Sequence, residues 1–134
     1  FIFSPLTVIS RSDIIRYDIS YDDTKRGDIM ENPALTETTY YILLSLYHPQ
    51  HGYGIMQETQ QLSGGRVRLA AGTLYGALNA LCEKGWISPL PMESGSRKKE
   101  YQLTSAGLKV LKQELVRLEE LAANGRAILQ EEQV

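Results

Sequence analysis

Apolar residues recur along this chain with changing period, and each change marks an element. The run Tyr40, Tyr41, Ile42, Leu43, Leu44, Leu46, Tyr47 is almost wholly apolar and predicts a mostly buried first helix. Upstream, Pro33 suits a first helical turn, where its missing N–H would be unpaired anyway. HPQHG at 48–52 reads as a turn punctuated by Pro49 and Gly52. Tyr53 to Gln61 reads as a short second helix, with Ile55 and Met56 inward and Gln57, Glu58 and Gln60 outward. SGG at 63–65 breaks the chain, and Arg66-Val67-Arg68-Leu69 alternates as a short half-buried strand does.

A third helix follows, AGTLYGALNALCEK, with Leu74, Leu78 and Leu81 at i, i+4, i+7 and Ala77 beside them. Gly85 stands where a left-handed C-terminal cap belongs. Trp86–Leu90 and Lys99–Leu103 predict a hairpin with Ser94-Gly95-Ser96 at its tip. Thr104 is a good N-cap for a long last helix. There Leu108, Leu111, Leu115, Leu118 and Ala122 follow a 3-4-3-4 spacing, a heptad seam. One small domain has no use for so long a stripe, whereas a second copy of the chain does. Asn124-Gly125 predicts a kink or an end to the helix.

The order of helix, strand, cationic loop and strand is what a winged helix-turn-helix needs: a helix for the major groove and a basic hairpin for the flanking backbone. The expected fold is mostly α with a small β-wing, followed by a C-terminal dimerisation helix. Residues 30–104 would form the winged domain and 105–134 the dimerisation helix.

Charge first argues against a nucleic-acid binder, because the formal net value over 134 residues is −2. Its distribution reverses that. Residues 66–99 carry six cations against two carboxylates, a local balance of +4, while residues 100–134 carry four cations and six carboxylates, a balance of −2. A basic middle and an acidic tail suit a protein that shows one face to phosphates. One cysteine, Cys82, excludes an internal disulfide and suits a reducing compartment. No apolar run approaches the ~20 residues a membrane span needs, so a cytoplasmic location is expected. Catalysis is not expected: there is no nucleophile–base pair, no phosphate-cradling loop and no metal cluster, and no cofactor is called for. His48 and His51 lie in a turn with no partner to complete a tetrahedral metal site.

The stretch from Leu35 to Ile87, then RKKEYQLTSAG, closely resembles the PadR family of bacterial transcriptional regulators. HGYGI, the GTLY start of the third helix and the YxLTxxG exit of the wing carry the resemblance, which covers roughly residues 33–122. The short C-terminal part, one helix rather than a separate domain, is similar to the small-subfamily members. The resemblance implies a homodimer that represses transcription from an inverted-repeat operator in double-stranded DNA and is released by a small-molecule or stress signal.

A groove-facing helix wants small or polar residues near its start, and Gly72, Thr73, Gly76 and Asn79 supply them opposite the leucines. Thr73 would donate to a phosphate or a base, and Asn79 would read adenine; the bland alternatives are a helix cap and a solvated residue. Tyr75 either sets its hydroxyl on a phosphate or packs against the second helix. Tyr53, at a helix start, is a candidate phosphate contact, while Tyr41 is assigned to core or dimer packing. Arg97, Lys98 and Lys99 form the wing's cationic cluster, with Lys98 turned away from its neighbours by strand alternation. Cys82 reads as a buried structural thiol rather than a redox sensor, and Trp86 as packing between the third helix and the wing. The runner-up function is a winged-helix protein-interaction module that binds no DNA.

Residues 1–29 lack helical periodicity and repeat Asp, Ile and Tyr. They are expected to be translated upstream DNA without selected packing, with Met30 the natural start. Lys25 to Met30 can be encoded by a purine-rich ribosome-binding site followed by ATG. Tyr17 to Tyr21 can be encoded TACGATATATCGTAY, whose first fourteen bases are their own reverse complement. With one base of the Arg16 codon the repeat reaches about 16 base pairs, the scale of a two-fold operator, and implies autoregulation.

Overall fold

The computed structural model describes residues 34–92 and 98–131. Residues 1–33, with Pro33, Met30 and the expected upstream-DNA segment, lie outside them, as do the expected hairpin tip Ser94-Gly95-Ser96 and Arg97. The elements run α1 (Glu37–Ser45), β1 (Gln50–His51), α2 (Gly52–Leu62), α3 (Ala71–Lys84), β2 (Ile87–Pro89), β3 (Glu100–Leu103) and α4 (Ser105–Glu131).

Thr36 starts α1: its hydroxyl accepts from the Thr39 N–H at 3.1 Å, and Glu37 sits in the favourable first turn. Ile42, Leu43 and Leu46 are fully buried, but Tyr47 lies past the helix end and is 64% exposed, so the buried run is shorter than its apolar letters suggest. The core joins these residues to Ile55 of α2, Leu74, Leu78 and Leu81 of α3, Trp86, Ile87, Tyr101, and Val110 and Leu111 of α4. Burying each large aliphatic side chain stabilises by roughly 1.5–3 kcal/mol.

Two expectations about strands are corrected. Gln50 and His51, read as part of a turn, form a strand that pairs antiparallel with β3 through Gln50–Tyr101 and His51–Glu100. The sheet order is β1-β3-β2. Arg66–Leu69 is no strand. Its alternation comes from anchoring: Val67 is buried, its N–H donates to the Ser63 hydroxyl at 2.9 Å, and the Arg66 guanidinium reaches out to Glu37. Gly64 and Gly65 both have positive φ, which lets the chain reverse tightly before this stretch.

α4 also departs from expectation. It runs unbroken through Asn124 and Gly125 to Glu131. Residues Leu35–Glu114 form one compact unit, so the first ten residues of α4 belong with the wing and its helices, past the boundary expected at residue 104. Leu111 is buried in that core and leaves the free seam. Glu114, also buried, accepts a hydrogen bond from the Leu35 N–H at 3.2 Å. From Leu115 onward α4 belongs to a second unit. Within the first unit the three-helix cluster with its antiparallel hairpin is a winged helix-turn-helix.

Candidate nucleic-acid interface

The outward face of α3 carries no large side chain along its middle. Gly72, Thr73, Gly76 and Asn79 are all exposed there, opposite the buried leucines. Gly72 and Gly76 have ordinary helical backbone, and a Cβ built on either meets nothing within 4 Å. Glycine in a helix interior costs about 0.5–1 kcal/mol relative to alanine, and nothing inside the described fold asks for it here.

The start of α3 is open as well. Its N-cap is Ala70, which makes no side-chain cap, and its first turn holds no acid. α1, α2 and α4 are capped by Thr36, His51 and Thr104. Thr73 is therefore not the helix cap. Uncapped amides at the positive end of a helix dipole favour an anion.

Several contacts fix α3 in place. The Tyr75 ring and hydroxyl lie against Gly52, where any Cβ would clash, so Tyr75 packs on the second helix while staying 46% exposed. This is the physical reason for the first glycine of HGYG. His51 Nδ1 accepts from the Gly54 N–H at 3.2 Å, and Gln50 donates to the Ser45 carbonyl and, at 2.8 Å, to Glu58. These β1 and cap roles were invisible in the sequence, because two residues are too few to show a period. Tyr53, next to Gly52, points outward and is 64% exposed.

At the wing, Lys98 and Lys99 are exposed. Lys99 Nζ stands 5.7 Å from the centre of the Tyr101 ring, and its charge reaches Cys82 of α3, so the structure brings the wing base to the flank of that helix. Burial pushes the Cys82 thiol up, and Lys99 pulls it partly back. Burial also raises the Tyr101 hydroxyl, helped by Cys82 and Tyr75. Trp86 is buried between α3 and the wing, with Lys84 Nζ 5.1 Å from its ring centre. Arg66 is engaged elsewhere: two of its nitrogens donate to Glu37, which holds the guanidinium further above its usual range. Arg68 folds back onto the Gly65 carbonyl. The basic middle of the chain thus narrows to the wing and the end of α3.

Of the seam on α4, Leu108 and Leu118 are half-buried, Leu115 is 46% exposed and Ala122 is exposed. Leu121, Ile128 and Leu129 are exposed too. Expecting the helix to break at Asn124-Gly125 hid the last two, although Leu129 continues the heptad series. Among the described residues no group of His, Cys, Asp and Glu could hold a metal, and no helix is long and apolar enough to cross a membrane.

Residues 42–113 match the transcriptional regulator PadR-like family. A PadR family transcriptional regulator from Eggerthella lenta has the same fold: it is 23% identical, with a TM-score of 0.57 over 83% of this chain and 96% of that one. The Bacillus subtilis PadR in complex with operator DNA is 27% identical, with a TM-score of 0.51 over 58% of this chain and 46% of that one. An uncharacterized 37.1 kDa protein of a Streptomyces fradiae transposon is 42% identical over 66 residues. That match takes in 49% of this chain and spans only 18% of the relative's length.

Proposed function

This chain belongs to the PadR-like family of transcriptional regulators, and we propose that it acts as a homodimeric repressor. Two copies of α3 would read an inverted-repeat operator, and a small-molecule or stress signal would release it. The observation that carries this is the outward face of α3: two glycines with no internal reason to be glycine, beside an uncapped helix start. Such a surface lets a backbone approach something outside the chain. Base edges and phosphates fit it, with Thr73 and Asn79 as the readers and Tyr53, Arg97, Lys98 and Lys99 as candidate backbone contacts. The family likeness to a PadR that is complexed with operator DNA supports the same partner. The second copy would cover Leu115, Leu118 and Ala122, extended to Leu129. An inverted repeat in the gene's own upstream DNA would make the protein its own repressor.

A duplex recovered by the full chain from a random-sequence pool tests this. With about four to six phosphate contacts per dimer, affinity should fall roughly a hundred- to a thousandfold between about 50 and 200 mM salt. Salt-independent binding, or no recovered duplex, would favour the protein-interaction module instead. Sedimentation of Leu118→Glu should show monomers; an unchanged dimer would remove α4 as the interface.

A further inference from the structure

Three chain segments meet at one hydroxyl. α3 ends in a paired cap: the Gly85 N–H donates to the Cys82 carbonyl at 3.0 Å and the Trp86 N–H to the Leu81 carbonyl at 3.1 Å, with Gly85 at φ 79°. The Gly85 carbonyl then accepts from the Thr104 hydroxyl at 2.6 Å. That same hydroxyl oxygen accepts from the Gly107 N–H at 3.1 Å and so caps α4. The Thr104 N–H donates to the Trp86 carbonyl at 3.0 Å. Gly107 lies so close to that carbonyl that no Cβ fits. The end of α3 and the first turn of α4 are therefore joined through backbone atoms, with the Thr104 Oγ1 hydrogen-bonded to both.

We infer that Thr104 is a positioning residue for operator recognition: its hydroxyl locks the end of α3 to the start of α4 and thereby sets the half-site spacing that a dimer accepts. This rests on the proposed dimer, with α4 as its interface and α3 as its reader. In a two-fold dimer that pairs through α4, the separation of the two reading helices depends on how firmly α3 is held to the start of α4 in each protomer. Adding one base pair moves a half-site by about 3.4 Å and about 35° around the duplex. A rigid joint resists that change and a loosened one tolerates it.

Three variants of the full chain separate the roles. Thr104→Ser keeps both hydrogen bonds. Thr104→Val is isosteric and loses both. Thr104→Asp keeps the cap on Gly107 but cannot donate to Gly85, so it retains the start of α4 even if the valine variant folds poorly. The probe is the duplex recovered by wild-type protein, remade with the spacing shortened or lengthened by one base pair. Wild type and Thr104→Ser should prefer the original spacing by about tenfold or more, and Thr104→Asp and any folded Thr104→Val should fall to within about threefold, with the dimer unchanged in sedimentation. An aspartate variant that keeps the wild-type preference would overturn the inference, and so would one that loses affinity equally at every spacing. Wild type that recovers no duplex would overturn the DNA-binding proposal and this inference with it.

Discussion

Two pairs of glycines in this unit are glycine for opposite reasons. Gly52 and Gly107 are pressed by the protein's own atoms, the Tyr75 ring in one case and the Trp86 carbonyl in the other. Gly72 and Gly76 face open space. The fold accounts for the first pair, and nothing in the described fold asks for the second. A constraint that the fold itself does not explain is the better pointer to a partner.

The comparison breaks most visibly at Gly107. Gly107→Ala would place a methyl inside a backbone carbonyl that has nowhere to go, and should lower unfolding stability by about 3 kcal/mol or more, read from a denaturant midpoint. A near-neutral result would mean that the first turn of α4 is free to shift. Gly52→Ala should lose about 1–3 kcal/mol, because a packed ring must move. In a Tyr75→Ala background the same change should be milder by at least about 1 kcal/mol, and additivity in that cycle would show that the ring is not the obstacle.

The outer pair should behave in the reverse sense. Gly76→Ala and Gly72→Ala should each raise stability by up to about 1 kcal/mol. Each should also weaken binding to the recovered duplex by roughly tenfold, the effect of one extra methyl group in a closed interface. Variants that gained stability and kept full affinity would remove the face of α3 as a contact surface. The smallest effect is alkaline. Burial holds Cys82 above its ordinary 9.0 and Tyr101 above its ordinary 10.0. Groups raised in the folded state contribute fully below their unfolded values, and that stability declines as pH climbs past them toward the folded values. Urea midpoints should therefore fall from about pH 8 to about pH 10, and Cys82→Ala should shallow the early part of that fall.

The third helix was legible because three leucines at helical spacing, a glycine cap and a following hairpin all agree on one structure. Thr104 was legible as a cap for the same reason. Its second bond, to Gly85, was not, because nineteen residues of sequence separate the two. β1 was hidden for a related reason: Gln50 and His51 are a strand only because β3 lies beside them. Arg66–Leu69 shows the converse, alternation with no ladder to join. On α4 the 3-4 spacing told correctly which residues share a face but not what covers each. Leu111 is covered by its own domain and Leu115 is not, and periodicity is identical in both cases. The helix also crosses Asn124-Gly125, since the roughly 1 kcal/mol that a glycine costs is small beside a helix of this length. The candidate site was readable as residue types on one helix face; the empty space above Gly72 and Gly76 arises only in the packed fold.

The hydrogen bond from the Leu35 N–H to Glu114 joins the first residue of the compact unit to its last. The unit is thus a nearly closed ring of chain, with entry and exit at one point. Such a ring can be reopened elsewhere. A covalent link from Glu114 to Leu35, with a new break in the connection between β2 and β3, should yield a circular permutant that folds. Segments attached at either old end would therefore join the unit at the same place.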